Sequence, residues 1–109
     1  MTANGALHAL SRWIDLGNAD RDAEARTWGR LAKVSEECGE VIAAFIGWTG
    51  QNPRKGVTHG PSDVESELLD VAVTALGAIA HLRGNDPSVD VLRMLEVKVF
   101  EVAHRAGVA

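Results

Sequence analysis

The spacing of apolar residues is the feature that most constrains the fold of this chain. Apolar side chains recur at steps of three and four through most of the sequence, which is the period of an amphipathic α-helix. No segment alternates between apolar and polar residues strongly enough to predict a β-strand. A chain of 109 residues has room for one domain. We therefore predict an all-α fold, a four-helix bundle forming a single domain over residues 1–109.

Helix-ending and helix-starting residues divide the chain into four predicted helices. Gly50 is well placed to end the second helix, and Ser62 with Glu65 matches a capping box at the start of the third. Asp86 and Pro87 supply a cap and a first-turn proline for the fourth. The second and third helices, with the loop between them, form a predicted core of about residues 21–84. The predicted helices cover about residues 5–17, 21–48, 62–83 and 87–106.

Each helix carries apolar residues that we expect to be buried. In the second helix the predicted buried stripe consists of Trp28, Leu31, Val34, Cys38, Val41, Ile42, Phe45 and Ile46. The corresponding residues of the first helix are Leu7, Leu10, Trp13, Ile14 and Leu16, and those of the fourth are Val89, Leu92, Leu95, Val99 and Val102. Val71–Ala80 is apolar nearly all round, so another subunit should cover part of it. We predict a homodimer or a homotetramer.

Composition and charge exclude several classes of function. The net charge of −4 argues against nucleic-acid binding as the main role. A single cysteine, Cys38, excludes an intrachain disulfide and is simplest to interpret as a small buried residue. The chain shows no signal peptide, and its longest apolar run is too short for a membrane span. We expect a soluble cytoplasmic protein without a membrane partner.

Two pairs of carboxylates carry the chemical signal. Glu37 and Glu40 are three residues apart on the second predicted helix, and Glu67 and Asp70 repeat this spacing on the third, so each pair shares a helix face. The loop at about 49–61 returns the chain antiparallel, so the two faces can meet. Four carboxylates meeting in a cleft would repel one another, and hard cations such as Mg²⁺ or Mn²⁺ relieve that repulsion. Such an open acidic site suits a triphosphate substrate.

The pattern Glu36-Glu37-x-x-Glu40, a spacer of 26 residues, and Glu67-x-x-Asp70 resembles the signature of the MazG-like, all-α nucleoside triphosphate pyrophosphatases. The resemblance covers roughly half of the chain. It implies hydrolysis of a nucleoside triphosphate to the monophosphate and pyrophosphate, with Glu37, Glu40, Glu67 and Asp70 as the Mg²⁺ ligands. Glu36 would orient the site or help to deprotonate the attacking water.

Five further residues are candidates for binding the substrate: Lys33, Trp48, Arg54, Lys55 and Lys98. The resemblance implies a phosphate-binding role for Lys98 and base stacking for Trp48, whereas a solvated charge and a packing tryptophan are the structural alternatives. Arg54 and Lys55 lie with His59 in the loop, which could close over the triphosphate or simply remain a polar loop. Lys33 could pair with Glu37 or reach a phosphate.

Two other functions compete with the pyrophosphatase. An acidic pair at this spacing is common on a solvated helix face, so a non-catalytic, partner-binding helical module of the same fold stays open. A di-metal redox bundle is suggested by Glu101-x-x-His104, the helical motif of di-iron carboxylate proteins. Those proteins use that motif twice, and the second copy is missing here, which argues against the redox function.

Overall fold

The computed structural model describes all 109 residues and confirms an all-helical chain without strands. Contacts divide it into two compact units. The central unit consists of Ala23–Ala75, and the terminal unit combines Met1–Asp22 with Leu76–Ala109. The four helices are α1 (Ala3–Gly17), α2 (Ala23–Thr49), α3 (Pro61–Leu82) and α4 (Val91–Arg105).

Glycines end the two long helices as the sequence predicts. Gly50 follows α2 with φ 67°, and its backbone N–H donates to the carbonyl of Ile46 at 3.0 Å. Gly84 follows α3 with φ 73°, and Asn85 continues the left-handed turn with φ 56°. A residue with a Cβ is strained at such positive φ values, so glycine at these positions stops each helix at a defined residue.

The third helix begins within one residue of its predicted start, whereas the fourth does not. Helix α3 begins at Pro61, and Asp63 rather than the predicted capping box of Ser62 and Glu65 supplies the capping contact, accepting from the Gly60 N–H at 2.8 Å. The fourth helix begins at Val91 rather than at residue 87, because Asp90 supplies the N-cap and accepts from the Arg93 N–H at 2.9 Å. The segment before Asp90 is a turn.

The terminal unit has a small apolar core joined to a polar network. Its core is the buried cluster of Leu7, Leu76, Ala80 and Val91, with partly buried residues around it. Beside this cluster, Asp15 accepts from His81 Nδ1 at 2.7 Å and from Asn85 Nδ2 at 2.8 Å. Ser11, which is fully buried, donates its hydroxyl hydrogen to Asn85 Oδ1. These bonds tie α1 to the end of α3 and the turn that follows it.

Most of the residues predicted to be buried are exposed. In α2 only Val34 and Val41 of the expected stripe are partly buried, and Cys38 is exposed. Trp13 and Trp28, expected to pack, are exposed at 73% and 67%. On α1 and α4, too, most residues of the side predicted to be buried are exposed: Leu10, Leu16, Leu95, Val99 and Val102. Apolar periodicity alone does not say which face of a helix turns inward. In α2 the chain turns inward a face that differs from the predicted one.

The stretch predicted to be apolar all round behaves as expected only in its second half. From Thr74 to Ala80 every residue is buried or partly buried, whereas Val73 is 45% exposed.

None of the four helices contains a segment that is both long and apolar enough to cross a lipid bilayer.

Candidate functional site

Two acidic residues of the central unit, Glu37 and Glu67, lie on the inward stripes of their helices. The least exposed positions in the second half of α2 follow steps of three and four: Val34, Glu37, Val41, Ala44 and Gly47. On the first half of α3 the partly buried positions repeat those steps: Val64, Glu67, Val71 and Thr74. A carboxylate therefore takes a position on each helix that packing would normally assign to an apolar residue.

The two helices surround their inward carboxylates in the same way. Val34 and Val41 flank Glu37 by three and four residues, and Val64 and Val71 flank Glu67 identically. Residues at these spacings lie on one face of a helix. The partly buried valines keep each of these helix faces turned inward, so each carboxylate starts from a partly buried position.

Glu37, Glu67 and Asp70 form one cluster. Each offers a carboxylate oxygen, and these oxygens lie within 4.8 Å of one another. Glu37 and Glu67 are partly buried, and Asp70 is exposed at the rim. Three carboxylate oxygens from two helices are the ligand type that a hard divalent cation takes, and they lie close enough that small side-chain movements would bring them around one ion.

The surroundings of Glu67 disfavour its charge. Loss of solvent contact raises the pKa of the Glu67 carboxyl above its ordinary 4.5, and the neighbouring charges of Asp70, Glu40 and Glu37 raise it further. Neither Glu67 nor Asp70 accepts a hydrogen bond from the protein. The negative charge of Glu67 and Asp70 is therefore not compensated by any hydrogen-bond donor of the chain.

Lys33 lies at the edge of the cluster. Its Nζ is 3.0 Å from Glu36 Oε1 and 3.4 Å from Glu37 Oε1, so it pairs with both residues along one side of α2. Glu36 points outward, with a side chain 60% exposed. Glu40 is exposed, yet it lies close enough to raise the pKa of Glu67. Glu40 is outside the set of three oxygens within 4.8 Å.

The candidate substrate-binding residues of the loop after α2 belong to the central unit. Arg54 and Lys55 are exposed in a turn built on Asn52, whose side-chain oxygen accepts from the Arg54 N–H at 3.1 Å. Trp48 is 40% exposed and meets Phe45 edge to face, with ring centroids 5.6 Å apart. An aromatic ring oriented in this way and still accessible could receive a flat ligand.

The fourth helix carries its candidate residues in the terminal unit. Lys98 is 65% exposed and pairs with Glu101 at 3.0 Å, and Arg105 is exposed near the end of α4. Glu101 and His104 are also exposed and belong to no cluster of possible metal ligands. The fourth helix therefore offers nothing that favours a di-metal redox function.

One structural element near the site was not anticipated. Gly47 is buried on the inward stripe of α2, and the loop residues Thr58 and His59 fold back over it. The signal available in the sequence was a glycine inside an otherwise regular helix, which indicates close approach of another segment.

Comparisons with known protein families, with curated proteins and with solved structures gave no match. The arrangement of the side chains is therefore the basis for assigning a function.

Proposed function

We propose that this chain is a Mg²⁺-dependent nucleoside triphosphate pyrophosphohydrolase, which cleaves a nucleotide to its monophosphate and pyrophosphate. Non-canonical nucleotides are one substrate class that such an enzyme would remove. The observation that carries the proposal is the cluster of Glu37, Glu67 and Asp70, whose oxygens lie within 4.8 Å of one another, with the first two on the inward stripes of α2 and α3. The resemblance of the acidic pattern to MazG-like enzymes supports the same reaction.

The donor set fits magnesium better than a softer metal. All three ligating groups are carboxylates, and neither a histidine nor a cysteine joins them. Mg²⁺ usually keeps several waters and binds through a few carboxylates together with substrate phosphates, which suits a cluster that is open at Asp70. Mn²⁺ has the same ligand preferences and should substitute. Glu40, at the rim, would complete the set of four ligands predicted from the sequence.

The reaction joins a water oxygen to the α-phosphorus and breaks the bond from that phosphorus to the oxygen bridging to the β-phosphate. Pyrophosphate leaves with the electron pair of the broken bond, and the water proton passes to a carboxylate. Glu36, exposed beside the cluster, is our candidate for orienting that water or accepting its proton. A cation held by Glu37, Glu67 and Asp70 would supply positive charge to the phosphoryl oxygens and would lower the pKa of a bound water.

Basic side chains should hold the phosphates that extend from the cluster. Lys33 is the nearest, since it already lies 3.4 Å from Glu37 and could exchange that contact for a phosphate oxygen. Arg54 and Lys55 are exposed in the same unit and are the next candidates. Lys98 lies on α4 in the terminal unit, where it pairs with Glu101, and its phosphate-binding role stays a prediction from the resemblance.

We also propose that the enzyme is a homodimer or a homotetramer. Beside its inward stripe, α2 carries a second apolar stripe that remains exposed: Trp28, Leu31, Ile42, Phe45 and Ile46. On α3 the exposed apolar residues are Leu68, Leu69 and Val73. Contiguous exposed apolar surface of this kind marks an interaction site, and a second copy offers the same surface in return.

These exposed stripes also favour a second candidate function. A partner-binding helical module would expose apolar surface in the same way, and it would not need the acidic cluster to bind metal. Glu67 favours the first function, because a partner-binding module gains nothing from a partly buried carboxylate placed beside two others.

The deciding experiment is a panel of nucleoside triphosphates, standard and modified, incubated with the pure protein and Mg²⁺. We expect the monophosphate and pyrophosphate as products, and one ¹⁸O atom in the monophosphate when the reaction runs in labelled water. Release of the diphosphate and inorganic phosphate, or no turnover of any nucleotide, would contradict the proposal. Binding of a protein partner without turnover would favour the second candidate.

A further inference from the structure

The loop between α2 and α3 is anchored to the helix before it. The backbone N–H groups of Thr58 and His59 both donate to the carbonyl oxygen of Gly47, at 2.9 and 3.3 Å. A Cβ added at Gly47 would overlap the imidazole ring of His59 and would lie 2.7 Å from Thr58 Oγ1. Only glycine leaves room for this contact, so the position of His59 depends directly on Gly47.

The anchored imidazole has one ring nitrogen in use and the other available. His59 Nδ1 hydrogen-bonds Thr58 Oγ1 at 2.8 Å, which fixes the orientation of the ring. The side chain is exposed, and Nε2 has no partner in the protein. A ring oriented on one side and free on the other can donate or accept one directed hydrogen bond.

Gly47 holds this ring against the inward stripe of α2, the stripe that also carries Glu37 of the acidic cluster. Gly47 is ten residues beyond Glu37, which is about 15 Å along the helix axis. Trp48, a partly accessible aromatic residue, follows Gly47 in the sequence. Carboxylates at one point and a directed polar group about three turns away suit the phosphates and the base of one extended nucleoside triphosphate.

We propose that His59 Nε2 hydrogen-bonds the edge of the nucleobase and that Gly47 is the positioning residue that makes this possible. The inference rests on the proposed function, because it assumes that the acidic cluster binds the phosphates. His59 then determines which base is preferred, and it takes no part in breaking the phosphoanhydride bond.

Matched variants separate base recognition from hydrolysis. His59→Ala removes the hydrogen bond, His59→Gln retains a donor and an acceptor near the position of Nε2, and Gly47→Ala displaces the ring. Gly29→Ala is the control, because it adds the same methyl group to α2 at a position with no neighbouring atom within 4 Å. Circular dichroism confirms that each variant keeps its helices, and calorimetry of monophosphate binding without metal gives a readout independent of turnover.

The expected result is a change in the ratio of kcat/KM between the best and the poorest base. That ratio should fall about five- to ten-fold in His59→Ala and in Gly47→Ala, as expected for one lost hydrogen bond, and recover partly in His59→Gln. Monophosphate affinity should fall by the same factor for the preferred base. Gly29→Ala should match the wild type in both measurements.

Two outcomes would overturn the inference and leave the proposed function intact: an active wild type without base preference, and a His59→Ala variant whose preference is unchanged. A uniform loss of rate for all bases would also overturn it, because it would show a role in phosphate binding or in folding. A wild type that hydrolyses no nucleotide contradicts the proposed function itself, so the two failures are distinguishable.

Discussion

Two inward carboxylates, one in each unit, have opposite surroundings. In the terminal unit, Asp15 receives hydrogen bonds from His81 and Asn85, and Asn85 in turn accepts from Ser11. In the central unit, Glu37 pairs with Lys33, whereas Glu67 receives no hydrogen bond and its nearest charged neighbours include other carboxylates. Each unit places an acidic side chain where an apolar one would pack, but donors of the chain surround Asp15 and none reaches Glu67.

This difference separates polar groups that stabilise the fold from polar groups that serve a function. A buried polar group that is hydrogen-bonded can hold helices together at little net cost. A group of like charges without donors weakens the unit that contains it, and such groups cluster at functional sites where a ligand supplies the missing charge. The contrast between Asp15 and Glu67, both acidic and both inward, is thus the strongest internal argument for a cation site.

The largest expected effect is on catalysis. Three variants, Glu67→Gln, Asp70→Asn and Glu40→Gln, should each lower the rate of pyrophosphate release by on the order of 10³-fold. Each of them removes a negative ligand from the site. The matched control is Glu65→Gln, an exposed residue of the same helix outside the cluster, which should keep wild-type turnover. A variant that retains near wild-type rates would remove its residue from the metal site.

The next effect is on stability and concerns the terminal unit. Asn85→Ala should lower the free energy of unfolding by about 2–4 kcal/mol, because it breaks the hydrogen bonds to Ser11 and Asp15 and keeps a Cβ at positive φ without the polar side chain that lets asparagine tolerate that conformation. Asn85→Gly removes the same bonds without the strain and should cost less, about 1–3 kcal/mol. Urea unfolding measures both values, and equal costs would show that strain contributes nothing.

A smaller effect of opposite sign is expected in the central unit. Without divalent cations, Glu67→Gln should raise the midpoint of thermal unfolding, since it removes repulsion that the protein does not compensate. The gain should be smaller than the loss in Asn85→Ala. A destabilised Glu67→Gln variant would mean that the carboxylate has a structural partner and that the two units do not differ in this respect.

The smallest effect is on pH dependence. The pKa of Glu67 is raised above 4.5 in the folded chain, so the folded state binds its proton more tightly than the unfolded state does. The charge therefore costs stability above that raised pKa, and the cost disappears as the pH falls towards 4.5. We expect the difference in unfolding free energy between the wild type and Glu67→Gln to narrow as the pH falls from above the raised pKa to about 4.5. A constant difference would contradict the raised pKa.

The sequence was sufficient to predict the helices and the acidic residues. Steps of three and four gave four helices, and Gly50 and Gly84 marked two of their ends, because positive φ values favour glycine. The pairing of Glu37 with Glu67 and Asp70 followed from the antiparallel return of the chain. These features depend on local chemistry and on spacing, both of which are readable from a single chain.

The inward faces could not be predicted from the same signal. Helix α2 carries two stripes at helical spacing, and the more apolar one, with Trp28 and Ile42, is the exposed one. The stripe that turns inward contains Glu37 and Gly47, which hydrophobicity would place outside. A glycine inside α2 indicates that some segment approaches the helix closely, but that His59 is the approaching residue depends on a tertiary contact that no local pattern encodes.

The central claim is that the inward carboxylates of α2 and α3 bind a divalent cation. The most direct measurement is the thermal unfolding midpoint of metal-free wild type and Glu67→Gln as Mn²⁺ or Mg²⁺ is added. We predict a saturable rise for the wild type and none for Glu67→Gln, so that the variant is the more stable protein without metal and the less stable one with it. An equal rise in both proteins, or no rise in the wild type, would contradict the claim.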